Sequence, residues 1–206
     1  MPKRLLELFA GSQSLSKCAR ERGWESVTLD INQKTNPDIC TSILDWDEKS
    51  LPRNAFDLIW ASCPCESYSS LRVRAKIPRA EAMAHADQFV AKTRGILEHF
   101  SWALWIVENP GNSLLWKREV AVGLGTHATL VDYCQFGRTF RKRTRLSSNF
   151  PLALPTCPGP GRCAQMVGKK HLVRSDRVRT HVLHELAEGL CDSVLAQAER
   201  LLPGGV

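Results

Sequence analysis

The sequence predicts an α/β domain: an open, mostly parallel sheet with helices flanking it. Three observations carry that expectation. Short apolar runs alternate with stretches of helical character, the pattern that builds parallel sheets through crossover helices. The run 56–61 (FDLIWA) is largely apolar on both faces, as a strand covered on two sides must be. Gly11, Asp30, Cys65 and Glu108 each fall just after an expected strand, and the carboxyl ends of parallel strands are where such sheets hold ligands.

The first run, 4–9 (RLLELF), ends in the small-residue turn Ala10-Gly11-Ser12. A helical stretch over about 15–22 breaks at Gly23, and 26–29 reads as a second strand closing at Asp30. Strand, turn, helix, strand and acid make a βαβ unit. Asp30 lies 19 positions after Gly11 (30 − 11), a spacing suited to binding ribose hydroxyls. The strand 56–61 runs straight into Ser62-Cys63-Pro64-Cys65. Residues 80–100 predict a helix of about five turns. A fourth strand at 105–107 leads to Glu108-Asn109-Pro110-Gly111; a fifth covers 128–133 (ATLVDY) and a sixth begins at 144–146. Four prolines and two glycines make 151–163 a loop. Residues 181–202 predict one closing amphipathic helix, with Leu183, Leu186, Leu190, Val194, Leu195, Ala198 and Leu201 on or near one face. There is no internal repeat.

The 206 residues, 43% hydrophobic and 24% charged, suit a single domain, 1–206, with a sizeable core. No apolar run approaches the roughly 20 residues that span a bilayer, which argues against a membrane protein. Basic residues precede apolar ones at the N-terminus, but Glu7 and Gly11 interrupt the run, against a signal peptide. The expectation is an intracellular protein, whose eight cysteines are reduced thiols or metal ligands rather than a disulfide framework. The formal charge of +7 and pI of about 9.1 favour a polyanionic partner. Arg138, Arg141, Lys142, Arg143 and Arg145 form one basic cluster; Lys169, Lys170, Arg174, Arg177 and Arg179 form another. Either cluster alone also reads as a solvated basic face.

Among the residues that could carry chemistry, Cys65 follows a strand behind Pro64, whose fixed φ stiffens the turn. Taken alone, such a cysteine is more often a small buried hydrophobe, and Cys63 with Cys65 could be half of a metal site. Glu108 ends an apolar strand, where an unpaired charge is expensive; it must face a cleft, be paired, or be protonated near neutral pH. Farther along, Cys157, Cys163 and His171, with Cys134 before them, are candidates for a structural zinc site that staples the Pro/Gly-rich loop. Their spacing is not that of a standard finger, and loop cysteines beside an exposed histidine are the plainer alternative.

In their order, these segments resemble the DNA (cytosine-5) methyltransferase family, in a short single-domain form. Glu7-Leu8-Phe9-Ala10-Gly11 resembles the first cofactor motif and Asp30 the acid that ends the second strand. Pro64-Cys65, followed by Tyr68-Ser69, resembles the catalytic motif; Glu108-Asn109 resembles the motif whose glutamate holds the target base. Tyr133 through Arg145 (YCQFGRTFRKRTR) resembles the arginine motif, with Arg143 and Arg145 at its arginine positions. The likeness spans 4–149; the first motif alone is weak, but five matches in the right order are strong. It implies a Rossmann-like S-adenosylmethionine-dependent methyltransferase fold, and methyl transfer to carbon 5 of cytosine in DNA. The thiolate of Cys65 would add to carbon 6, splitting one hard step into easier ones. Glu108 would stabilise charge at ring nitrogen 3 and the amino group, and Arg143 and Arg145 would bind the base carbonyl and a flanking phosphate. Nearby cations would help form the thiolate. Phe9, Ala10, Gly11, Ser12, Asp30, Ile31, Ser42, Ile43 and Pro64 would bind S-adenosylmethionine, with Phe9 near the sulfonium, Asp30 on the ribose and Ile31 over the adenine. The resemblance further implies a nuclear location if the source is a eukaryote.

The chain departs from the family pattern in places. Gln13 and Ser14 replace the usual glycines, Glu66 stands where glutamine is most common, Cys63 and Pro110 are unusual, and Arg141 replaces the glutamine that opens the arginine motif. Asp38, Ser42 and Asp45 compete for the adenine-contacting position, and Ser42-Ile43 gives the more natural alignment. Family members carry a long recognition domain after the arginine motif, whereas here 150–180 is a reduced recognition loop. Sequence recognition is therefore expected to be short, weak, or supplied by an additional domain or partner, and the abrupt start leaves room for a larger parent protein. Two alternatives stand beside DNA methylation. One is the same chemistry on RNA. The other is a catalytically weak nucleic-acid-binding module, motivated by Gln13, Ser14 and Glu66. A purely redox or zinc protein would leave Glu108 and the arginines without a purpose.

Overall fold

The computed structural model describes residues 1–69 and 77–203. Its main sheet contains β1 (Arg4–Leu8), β2 (Glu25–Asp30), β3 (Ile39–Cys40), β4 (Leu58–Ser62), β5 (Leu104–Pro110), β6 (His127–Asp132) and β7 (Arg143–Ser148). They lie in the order β3-β2-β1-β4-β5-β7-β6. The helices are α1 (Ser14–Glu21), α2 (Arg79–His99), α3 (Thr180–His184) and α4 (Glu188–Leu201), and a small hairpin pairs β8 (Met166–Val167) with β9 (Lys170–His171). The first five strands pair in parallel. Within this sheet β7 is the reversed strand, antiparallel to both β5 and β6. This is the mostly parallel, Rossmann-like α/β sheet that the sequence predicts. No helix among the described residues is long and apolar enough to cross a membrane.

Period-two alternation divides each strand between two cores. Leu5, Leu58, Trp60, Ile106 and Leu146 face the side packed by α1 and α4, while Leu6, Leu8, Ile59, Ala61 and Val107 face the side packed by α2. Trp60 is fully buried and its Nε1 donates to Ser62 Oγ at 2.8 Å. Truncating such a side chain costs about 3–5 kcal/mol.

The reversal of β7 decides which residues reach the carboxyl edge of the parallel strands. Because β7 runs against its neighbours, its first residues lie level with the last residues of β5 and β6: Thr144 pairs with Pro110, and Arg143 with Asp132. The residues that lead into β7 are thereby delivered to that edge.

Three boundaries differ from expectation. β3 has no apolar pattern to announce it. β5 extends to Pro110, so Glu108 sits inside the strand, as Asp30 sits inside β2. The single helix expected over 181–202 is two: α3 stops at His184, the chain is extended through 185–187, and α4 begins at Glu188. Tertiary partners replace the helical hydrogen bonds at the break. Leu186 N donates to Ser14 Oγ at 3.2 Å, and Arg138 donates to Leu186 O at 3.2 Å while pairing with Glu185 at 3.4 Å. The loop expected over 151–163 contains no helix or strand.

Candidate active site

A cavity of about 450 Å³ opens at the carboxyl edge of the sheet. β1 and the turn after it contribute Glu7, Phe9, Gly11 and Ser12, and β2 contributes Asp30. β4 and its extension contribute Ser62, Cys63, Pro64, Cys65 and Glu66; β5 contributes Glu108 and Pro110. Lys142 enters from the start of β7, and Leu183, His184 and Leu186 close the wall from the helix break.

The turn after β1 is held by charge and by strained backbone. Gly11 N donates to Asp30 Oδ2 at 2.9 Å, and Asn32 N donates to Asp30 Oδ1 at 2.7 Å, so the acid at the end of β2 ties two turns together. A Cβ added at Gly11 would meet only Asp30 Oδ2, at 3.8 Å; the rest of the space before it is open cavity. Phe9 (φ 56°) and Gln13 (φ 54°) are left-handed, a conformation that costs roughly 1–2 kcal/mol for a residue with a side chain. The buried Glu7 accepts from Ser16 N at 2.8 Å at the start of α1, where the helix end favours an anion. Burial nevertheless pushes its carboxyl above the ordinary value, against the pull of the Ser16 hydrogen bonds.

Cys65 sits two residues past Cys63 at the end of β4. The turn beyond it is anchored by Tyr68, which is buried and donates to Asp87 Oδ1 at 2.9 Å; Arg118 clamps the same carboxylate. Burial pushes the Cys65 thiol above its ordinary value, the Glu108 carboxylate pushes it further, and Lys142 opposes both. Lys142 thus acts in the direction expected of a nearby cation, while desolvation and the neighbouring carboxylate act against it and prevail. Glu108 is buried, and its Oε1 has no hydrogen-bond partner among the described residues, although Lys142 Nζ stands 3.7 Å away. Such an oxygen carries a desolvation cost that a bound group able to hydrogen-bond would relieve. Lys142 Nζ lies 4.7 Å from the centroid of the Tyr133 ring. Beside it, Asn109 Nδ2 donates to Cys63 O at 2.7 Å and fastens the ends of β4 and β5 together.

The expected site residues divide. Phe9, Gly11, Ser12, Asp30, Pro64, Cys65 and Glu108 line one cavity. Ala10 is buried behind it, Ile31 is exposed, Ser42 Oγ accepts from Leu44 N at 3.2 Å, and Ile43 packs in the core; none of these four is in the lining. Asp38, the competitor to Ser42, is occupied by Thr28 N and Oγ1 at 2.8 and 2.7 Å. Arg143 and Arg145 also stand outside the lining. Arg143 donates twice to the buried Asp132, at 3.2 and 2.8 Å, next to Arg141 Nε at 2.8 Å. The Arg145 guanidinium lies 4.4 Å from the centroid of Trp116, with Nε buried and without a hydrogen-bond partner among the described residues. Burial lowers its pKa.

Lys142 is the residue that sequence reasoning missed. Strand alternation held the signal: Arg143 and Arg145 share one face, so the residue before Arg143 belongs to the other. Leu183, His184 and Leu186 were missed because they looked like positions of a continuous helix.

The four candidate metal ligands come together. The ligand atoms of Cys134, Cys157, Cys163 and His171 all lie within 4.8 Å of one another.

No family model matches the chain. A protein of frog virus 3 (isolate Goorha), named "Probable DNA (cytosine-5)-methyltransferase", is 32% identical over 176 residues, covering 79% of this chain and 78% of that protein. Among solved structures, the Entamoeba histolytica methyltransferase EhMeth matches with a TM-score of 0.49 and 16% identity, over 75% of this chain and 56% of its own. The S. pombe Dnmt2 methyltransferase matches with a TM-score of 0.48 and 17% identity, over 73% of this chain and 52% of its own. The chain thus spans about half the length of these solved structures.

Proposed function

Since the chain belongs to the DNA (cytosine-5)-methyltransferase family, we propose that it methylates carbon 5 of cytosine in DNA, with Cys65 as a transient covalent nucleophile. The observation that carries this reading is the shared cavity of Cys65 and Glu108, where a carboxylate oxygen is buried without a hydrogen-bond partner. A cytosine edge offers the matching donor in its amino group.

The cofactor assignment rests on the same cavity. Gly11 opens space at its wall and Phe9, Ser12, Asp30 and Pro64 surround it; these residues would hold S-adenosylmethionine. When bound, that group supplies an electrophilic methyl from its sulfonium. The chain's own residues do the rest. Cys65 passes its proton to the Glu108 carboxylate in the same cavity and forms the bond from Sγ to carbon 6, and the ring electrons move to carbon 5. Glu108, carrying that proton, donates to nitrogen 3 and accepts from the amino group, stabilising the charge that builds on the ring. After methylation the carbon 5 proton passes to solvent, nitrogen 3 is released from the Glu108 hydrogen bond and the bond to sulfur breaks, restoring the ring and the thiolate. Lys142 provides the positive charge that offsets the cost of a thiolate beside Glu108. Residues 1–206 act as one catalytic domain. The target base leaves the duplex to reach the cavity, at a cost of a few kcal/mol.

Duplex DNA containing 5-fluorocytosine tests this, because fluorine at carbon 5 blocks the final elimination. With S-adenosylmethionine present, mass spectrometry should find a methylated adduct on Cys65. Folded, cofactor-binding protein that forms no adduct with DNA overturns the reading, and an adduct with RNA alone moves the substrate to RNA.

A further inference from the structure

We infer that Cys134, Cys157, Cys163 and His171 hold one zinc ion, in a structural site that fixes the loop after β7 and the β8–β9 hairpin against the end of β6. Tetrahedral zinc has bonds of about 2.3 Å to sulfur and about 2.0–2.1 Å to nitrogen, which puts neighbouring ligands about 3.6 Å (sulfur to nitrogen) and about 3.8 Å (sulfur to sulfur) apart. Cys157 Sγ and Cys163 Sγ stand 3.5 and 3.9 Å from His171 Nε2, and all four ligand atoms fit within 4.8 Å. The quartet is closed, with three sulfurs and one nitrogen, as structural rather than catalytic zinc requires.

The ligands arrive from separate stretches of chain. Cys134 follows β6, Cys157 and Cys163 sit in the Pro/Gly-rich loop, and His171 ends β9. That loop carries little core: between 155 and 171, Cys163 is the single buried residue. Something other than apolar burial must hold it, and small elements without a core are commonly held by metal. The surroundings suit thiolate ligands as well. Gln135 Nε2 points at Cys134 Sγ (3.6 Å) and Cys163 Sγ (3.5 Å), the outer hydrogen bonding that orients metal ligands. On binding, three thiols release three protons, and with a neutral imidazole the centre keeps one net negative charge. Arg141, Lys169, Lys170 and Arg174 line a groove beside His171 and face that charge. The ion would also lock Cys157, whose backbone N–H donates to Asp132 at 2.8 Å. The site would therefore set the loop against the same carboxylate that holds Arg141 and Arg143.

Metal analysis of the reduced full chain, purified without chelator, should find about one zinc per chain. Cobalt exchanged into the site should give the intense visible absorption of a tetrahedral thiolate centre. Maleimide should label Cys40, which is exposed, at once, and label Cys134, Cys157 and Cys163 only after a chelator is added. Cys157→Ser and His171→Ala should lose the metal while Cys40→Ser keeps it. If those variants do not fold, the wild-type stoichiometry, spectrum and thiol protection still decide. Less than about 0.2 equivalents of zinc after reconstitution, a disulfide among these cysteines in the native protein, or labelling unaffected by chelator would each overturn the inference. None of these readouts depends on methyl transfer.

Discussion

The two ends of the sheet are held by different forces. From β2 to β5 the strands pair in parallel and bury aliphatic side chains and Trp60 on both faces; the polar groups sit at the carboxyl edge, around the cavity. At the other end, β6 and β7 meet over Asp132, a fully buried carboxylate bonded by Arg141, Arg143 and the Cys157 amide. Burial pushes that carboxyl up, but the hydrogen bonds from Arg143, Arg141 and Cys157 outweigh it and hold it below the ordinary value. The first end rests on apolar burial away from the cavity. The second adds to its apolar burial a carboxylate whose charge must be matched.

Substitutions can break or sharpen this contrast. Cys65→Ala should lower methyl transfer by about 10³-fold or more and shift unfolding free energy by less than about 1 kcal/mol, measured by labelled methyl incorporation and denaturant melts. A collapse of stability together with activity would erase the separation. Asp132→Asn should do the reverse of a catalytic variant and cost about 1–3 kcal/mol, a buried-pair loss discounted because both arginines are over 40% exposed. The pH dependence has a fixed sign. A carboxyl depressed on folding stabilises above its unfolded pKa of about 4, and that stability drains away as pH falls through the lower folded value. Wild-type protein should therefore lose stability below about pH 4 more steeply than Asp132→Asn.

Gly125→Ala comes next. Gly125 has a φ of +83°, and an added Cβ would lie 2.8 Å from Ser148 N and O, so a loss of about 1–3 kcal/mol is expected. At Gly123 the φ is also positive but the space is open, so the same change should cost only about 1 kcal/mol. Equal losses would show that backbone conformation, not crowding against β7, sets the tolerance. The two ends touch at Lys142, and a milder test reads that contact. Lys142→Met should slow alkylation of Cys65 at fixed pH by about 3- to 10-fold, because a cation that favours the thiolate is gone. Glu108→Gln should speed alkylation although it abolishes methyl transfer. The smallest effect belongs to Arg174→Ala, whose pair with Asp176 at 2.7 Å is exposed; less than about 0.5 kcal/mol should be lost.

The parallel end was legible in the sequence because strands buried on both faces leave nearly continuous apolar runs, as FDLIWA does. Its edge was legible because the residues after those runs (Gly11, Asp30, Cys65 and Glu108) are chemically distinctive. The charged end was harder to read. Asp132, next to last in ATLVDY, carries no signal that two arginines will reach it, so Arg143 looked available when it is occupied. Lys142 was hidden among cations of the same cluster, distinguished only by the face it takes. The helix break at 185–187 could not be read because the apolar spacing continues through it; Ser14 and Arg138, far away in sequence, impose it.

That break has a consequence for how the molecule comes into being. Ribosomes deliver the N-terminal end first, and the cavity's floor, with Phe9, Cys65 and Glu108, is complete in sequence long before the wall made by Leu183, His184 and Leu186 exists. Until those residues emerge and Leu186 finds Ser14, that side of the cavity has no wall. The wall is thus a late addition, and the cavity takes its final shape only once residues 183–186 have docked on the elements that were made first.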